Sequence, residues 1–131
     1  MKTIYLSLDQ VLAIHHREVE KFGGSHGVRD LGLLESAVHR SQASFMGEDL
    51  YPGIFDKATA FMHSILMNHA FVDANKRTAI ASTSYFLYLN GYKIKMEQKE
   101  VVKFALKVEA KVMNLDQISS WLKDHCAEER T

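Results

Sequence analysis

Apolar residues recur at helical spacing along nearly the whole chain, and the runs open or close on recognisable helix signals. Leu8, Val11, Leu12, His15, Val19 and Phe22 form the first stripe. Ahead of it, Ser7-Leu8-Asp9-Gln10 reads as a capping box, in which Ser7 and Gln10 satisfy backbone donors reciprocally. Gly23-Gly24 stops this helix, because glycine takes the left-handed C-terminal conformation without steric cost. Asp30 caps a second helix whose apolar face is Leu31, Leu34, Ala37 and Val38. A third buries Ile54, Ala58, Phe61, Met62, Ile65 and Leu66 and ends near Asn68. A fourth runs from about Asn75 to Leu89, closed by Asn90-Gly91. The fifth uses Val101, Phe104, Ala105, Val108 and Val112. The sixth starts at the box Asn114-Leu115-Asp116-Gln117 and buries Leu115, Ile118, Trp121 and Leu122.

Two segments break the period. Gln42 to Gly53 reads as a loop, yet it carries Phe45, Met46, Leu50 and Tyr51, and Phe45 and Leu50 are expected to tuck into the core. Tyr92-Lys93-Ile94-Lys95-Met96 alternates with period two and can pair as a short strand with Thr3 to Leu6. No repeat or linker divides the 131 residues, so the expectation is one domain over 1–131. Its class is all-α: six helices with a short strand pair.

Composition excludes several classes. Hydrophobic residues at 47% and charged residues at 24% are globular proportions. Sixteen basic residues balance sixteen acidic ones, so the basic excess of a non-specific nucleic-acid binder is missing and no DNA partner is expected. Cys126 stands alone, which leaves no internal disulfide or cysteine-rich zinc site. No stretch approaches the roughly 18 apolar residues of a membrane span. Nor does the start of the chain carry a signal peptide's apolar run, so a reducing cytoplasm is the simplest compartment. Lys99, Lys103, Lys107 and Lys111 read as a solvated face of the fifth helix. His15 and His16 point about 100° apart on a helix and cannot easily share an ion. His15 falls on the buried stripe, as a satisfied core histidine.

The junction between the third and fourth helices, His69-Ala70-Phe71-Val72-Asp73-Ala74-Asn75-Lys76-Arg77-Thr78, contradicts helix electrostatics. A helix N-terminus carries roughly half a positive charge, so Lys76 and Arg77 in a first turn should each cost about 0.3–1 kcal/mol. Cations beside free backbone N–H groups make sense where an anion docks, and phosphate is the usual one. The neighbours suit phosphate chemistry. Asp73 offers a hard oxygen ligand for Mg²⁺. The His69 imidazole can take a proton from an attacking hydroxyl. Phe71 is expected to plug into the core and fix the loop. Asn75 can bond a phosphate oxygen or cap the helix, Lys76 is a mobile point charge, and Arg77 is a rigid fork. Taken singly, His69 reads as a C-cap donor, Asp73 or Asn75 as an N-cap, and Lys76-Arg77 as solvated surface. Their concentration within nine residues distinguishes the junction.

His69-Ala70-Phe71-Val72-Asp73-Ala74-Asn75-Lys76-Arg77 resembles the core motif of the Fic/Doc family, in its Doc ("death on curing") form. Gly23-Gly24 and Arg29-Asp30-Leu31-Gly32-Leu33-Leu34-Glu35-Ser36-Ala37 are similar to the N-terminal stretch of Doc-like proteins. The resemblance implies a six-helix Fic/Doc domain. It also implies a toxin that transfers phosphate from ATP, with Mg²⁺, to a Ser or Thr hydroxyl of elongation factor Tu and is restrained by a cognate antitoxin. By position, His69 would be the base and Asp73 the Mg²⁺ ligand or charge partner. Ala74, Asn75, Lys76 and Arg77 would form the nucleotide-phosphate cradle, and the loop before the third helix a flap that holds the target. The wider Fic pattern has glycine where this chain has Ala74 and Lys76, and a final arginine where it has Ile80. These departures favour the kinase form over an AMP transferase. A non-catalytic nucleotide-binding interaction protein is the other alternative.

Overall fold

The computed structural model describes residues 2–129. In chain order these form α1 (Leu8–Phe22), α2 (Leu31–His39), β1 (Ser44–Phe45), β2 (Glu48–Asp49), α3 (Ile54–Asn68), α4 (Asn75–Leu89), β3 (Tyr92–Ile94), α5 (Gln98–Glu109), α6 (Leu115–Asp124) and β4 (Cys126–Glu128). The fold is all-α, as the periodicity predicts. The capping boxes at Ser7 and Asn114 form with both reciprocal bonds, and the Asp30 side chain accepts from the Leu33 N–H.

α3 is the centre of the molecule. Residues 57–62 and 64–66 are all buried, because α2, α4, α5 and α6 pack around it. Such all-round burial distinguishes a central helix from an amphipathic surface one. Phe61, Met62 and Leu66 meet Leu34 and Val38 of α2, Phe86 and Leu87 of α4, and Ile118 and Leu122 of α6 in one apolar core. Trp121 lies between two flat neighbours, Phe104 at 3.7 Å and His125 at 4.1 Å between ring centroids. Burial pushes the Cys126 thiol up to about 11, so it stays protonated and chemically quiet.

Four expectations need correction. Tyr92–Ile94 does not pair with Thr3–Leu6; its partner is Cys126–Glu128, antiparallel. The N-terminal segment is held by a side chain instead, with Asn90 Oδ1 accepting from the Ile4 N–H and Nδ2 donating to the Ile4 carbonyl, both at 2.8 Å. Phe22 and Leu31, placed by period on buried faces, are exposed because each sits at the end of its helix. Val112 lies beyond the end of α5 and is likewise exposed. Phe45 and Leu50 do not tuck in; with Met46 they are 68%, 54% and 86% exposed.

The reason lies in the hairpin that this loop forms. Met46 and Gly47, both at positive φ (51° and 81°), make its two-residue turn, the geometry that matches strand twist. Its base is tied to the body by two cations. The buried Lys57 ammonium bonds Asp49 and the Tyr51 carbonyl, while Arg40 donates to Tyr51 Oη at 3.1 Å and to His63 Nδ1 at 2.9 Å. Anchored there, the apolar tip projects outward.

Candidate functional site

The loop between α3 and α4 begins and ends in left-handed backbone. His69 has φ 45° and Ala74 φ 62°, and they are two of the four non-glycine residues at positive φ among those described. For an L-residue this conformation costs about 1–2 kcal/mol, so surrounding bonds must hold it. They do. The Arg29 Nε–H donates to the His69 carbonyl at 2.8 Å and Nη2 to the Asn68 carbonyl at 3.1 Å. The Arg29 and Asp30 N–H groups both donate to the Ala70 carbonyl, at 2.7 and 3.0 Å. The Val72 N–H donates to Gly27 at 3.0 Å.

Inside the loop, the Asn75 side chain makes both bonds to Phe71. Its Oδ1 accepts from the Phe71 N–H and its Nδ2 donates to the Phe71 carbonyl, each at 3.0 Å. One donor and one acceptor of its amide are therefore engaged within the loop. Phe71 plugs into the core as expected and stacks on His15 at 3.8 Å and 7°. Asn75→Ala removes two hydrogen bonds and leaves backbone groups of a part-buried loop unpaired, a loss of about 2 kcal/mol that chemical denaturation would read directly.

His15 is the satisfied core histidine that its stripe predicts, with Nε2 donating to the Asp73 carbonyl at 2.9 Å. Burial lowers its pKa, and that hydrogen bond opposes the shift only partly. Burial and the Arg40 guanidinium lower His63 in the same direction. Both rings have a folded pKa below the ordinary 6.5, so the unfolded chain takes up protons more readily. Their stabilisation is full above 6.5 and is lost as pH falls below it. The denaturation midpoint is therefore expected to be lower at about pH 5.5 than at about pH 7.5.

Asp73 is shifted in the same direction, which for a carboxyl favours the charged form. Its Oδ2 accepts from the Ser25 N–H at 3.0 Å and its Oδ1 from the Ala74 N–H at 2.8 Å. These two bonds, Ser25 first, hold the carboxyl below the usual range, with Arg77 adding to the effect. The group is ionised and exposed. Two backbone bonds leave part of a carboxylate's roughly four acceptor sites open, which fits a single-carboxylate Mg²⁺ site completed by phosphate oxygens.

Gly24 explains how Asp73 and Arg77 come together. A Cβ there would stand 2.7 Å from Asp73 Oδ2 and 2.9 Å from Arg77 Nη2, and its φ of 115° suits glycine alone. Arg77 also donates to the Glu18 carbonyl of α1 at 3.2 Å. On the other side of the first turn, His69 Nε2 and Lys76 Nζ both approach Glu109 of α5, at 3.8 and 3.7 Å. The predicted residues thus fall into two groups: Asp73 with Arg77, and His69 with Lys76 through Glu109. Ala74 is buried at the N-cap, where it offers no side-chain cap. A cavity of about 500 Å³ opens beside Lys76 and Arg77, with Lys21 and Phe22 on its α1 wall. Gly24 as a packing contact, Ser25, the Glu18 carbonyl as the partner of Arg77, and Glu109 escaped the sequence reading. Glu109 alone left a signal, an acid in the last turn of a helix.

The helix–loop–helix junction thus combines a cationic first turn of α4 with no side-chain cap, on an all-α scaffold. The sequence matches the Fic/DOC family over residues 5–87, more than half of the chain. The chain belongs to the Fic/Doc family. It is 52% identical over 73 residues to "Toxin Doc" of Mycolicibacterium smegmatis, covering 56% of each chain. It is 31% identical over 90 residues to "Protein kinase doc" of Escherichia phage P1, covering 69% of this chain and 71% of that one. The match therefore spans little more than half the length of the mycolicibacterial relative.

Proposed function

We infer that this protein is a Doc-type toxin that transfers the γ-phosphoryl group of ATP to a Ser or Thr hydroxyl of elongation factor Tu. One observation carries the reading: the first turn of α4 has Lys76 and Arg77 and no side-chain cap, within a loop that holds His69 and Asp73. Phosphate oxygens satisfy both the free N–H groups and the misplaced cations. The name of the phage relative, "Protein kinase doc", supports it.

His69 takes the proton from the attacking hydroxyl, making the oxygen nucleophilic; as its bond to the γ-phosphorus forms, the bond from that phosphorus to the β–γ bridging oxygen breaks and ADP leaves. Arg77 and Lys76 offset the charge that spreads over the transferring group's oxygens. Asp73 would hold Mg²⁺, which neutralises phosphate charge when bound. Ile80 disfavours AMP transfer, since a buried apolar side chain stands where the wider pattern has a phosphate-clamping arginine. A toxin of this kind requires a restraining antitoxin, and we place both in the cytoplasm. No helix among the described residues is long and apolar enough to cross a membrane.

Incubation with labelled ATP, Mg²⁺ and elongation factor Tu tests the reading. Transfer of γ-label is expected. Transfer of α-label would replace phosphorylation by AMP transfer, and nucleotide binding without either would make the protein a non-catalytic binder.

A further inference from the structure

The β1–β2 hairpin has little apolar burial to hold it in place. Phe45, Met46 and Leu50 are exposed, so its position depends on the two cations at its base. The two tethers differ in kind. Burial works against the charge of Lys57, yet hydrogen bonds to Asp49 and Tyr5 outweigh it, and the ammonium stays charged. The Arg40 tether runs through a histidine. Arg40 Nη1 donates to His63 Nδ1 and to Ser64 Oγ, both at 2.9 Å, while Nε donates to Tyr51 Oη at 3.1 Å. A guanidinium only donates, so this contact requires an unprotonated Nδ1. Once the ring takes a second proton it has no acceptor atom in either orientation, and it stands at hydrogen-bond distance from a permanent positive charge. The second charge acting on the ring, Lys111 beyond the end of α5, is also positive. Burial, Arg40 and Lys111 all favour the neutral form, in that order.

We propose that His63 and Arg40 form a proton-operated latch on the hairpin: the neutral ring holds Arg40 against Tyr51, and the imidazolium expels it. His63 is the fixed half, because it belongs to central α3, where residues 57–62 and 64–66 are buried. Arg40 sits on the single turn after α2 and is only partly buried, as is Tyr51. Protonation therefore loosens the base of the hairpin. The Lys57 tether and the bond from the Leu50 N–H to the Ala43 carbonyl are left to hold it. An apolar tip aimed outward is thus fixed in direction near neutrality and released by acid.

Hydrogen-exchange protection of the Leu50 amide, corrected for the intrinsic rate at each pH, tests the latch in the full chain as wild type, His63→Asn and Tyr51→Phe. Amides of α3 report global opening. From about pH 7.5 to about pH 5.5, wild-type protection at Leu50 is expected to fall about threefold to tenfold more than in α3. The upper bound is that of a released ring with the ordinary pKa of 6.5. His63→Asn puts an amide oxygen near the Nδ1 position and does not titrate, so its hairpin should show no such fall. Tyr51→Phe keeps His63 but cuts the hydroxyl link, so its hairpin should be less protected at both pH values and insensitive to the change. Tyr51→Phe decides alone if the substitution at His63 unfolds the chain. Equal relative protection of wild type at the two pH values overturns the latch. So does a fall of wild-type size in either variant, which would assign the effect to another group.

Discussion

His69→Ala is expected to lower γ-phosphoryl transfer by about 10²–10⁴-fold, the usual worth of a positioned general base. The fold should survive the change. The His69 side chain is half exposed and, among the described residues, makes only the long contact to Glu109. What the residue contributes to the loop is its carbonyl, which accepts from Arg29. Alanine keeps that carbonyl and already occupies the same left-handed region at Ala74. Steady-state transfer rates alongside thermal unfolding separate the two effects: kcat should collapse while the unfolding midpoint stays near wild type. Equal activity in both proteins would remove His69 from the chemistry. In cells, inducing the variant should no longer arrest growth.

Arg77→Gln is the second large effect, with a loss of about 10²–10³ in kcat expected for removing one preorganised donor to the transferring group. Arg77 is held from two sides, by the Glu18 carbonyl and by the space that Gly24 leaves beside Asp73. A fork fixed in advance needs no reorganisation when charge develops on phosphorus. Glutamine can keep one donor toward Glu18 but supplies no charge. The loss should therefore fall mainly on kcat, with a smaller rise in KM for ATP. A loss confined to KM would mean that Arg77 binds nucleotide equally in the ground and transition states.

Much of the fold is legible because each helix carries its own punctuation. Asn75 to Leu89 is a helix in the structure as in the pattern, and the caps at Ser7, Asp30 and Asn114 form as their residue types require. What the pattern misses is non-local. Nothing in the alternation of Tyr92 to Met96 identifies Cys126–Glu128 as its partner, because period two sets which face a residue takes and not which strand lies beside it. Apolar content alone also misplaces Phe45 and Leu50, since a two-residue turn at Met46-Gly47 holds both out in solvent.

At the site, the local contradiction at Lys76 and Arg77 locates the junction without any coordinates. The roles within it are less legible. Asn75 can serve a phosphate or a backbone by its chemistry, and the bonds to Phe71 show the backbone role, which the residue type alone does not specify. Glu109 lies more than thirty residues from the motif, but its sign at the end of α5 breaks the same dipole rule.

The most direct test of the central claim is titration of MgATP into wild type and into Lys76→Gln/Arg77→Gln. Saturable binding by wild type, lost in the double variant, is the predicted result. Equal affinity in the two proteins would contradict docking of the polyphosphate at the start of α4.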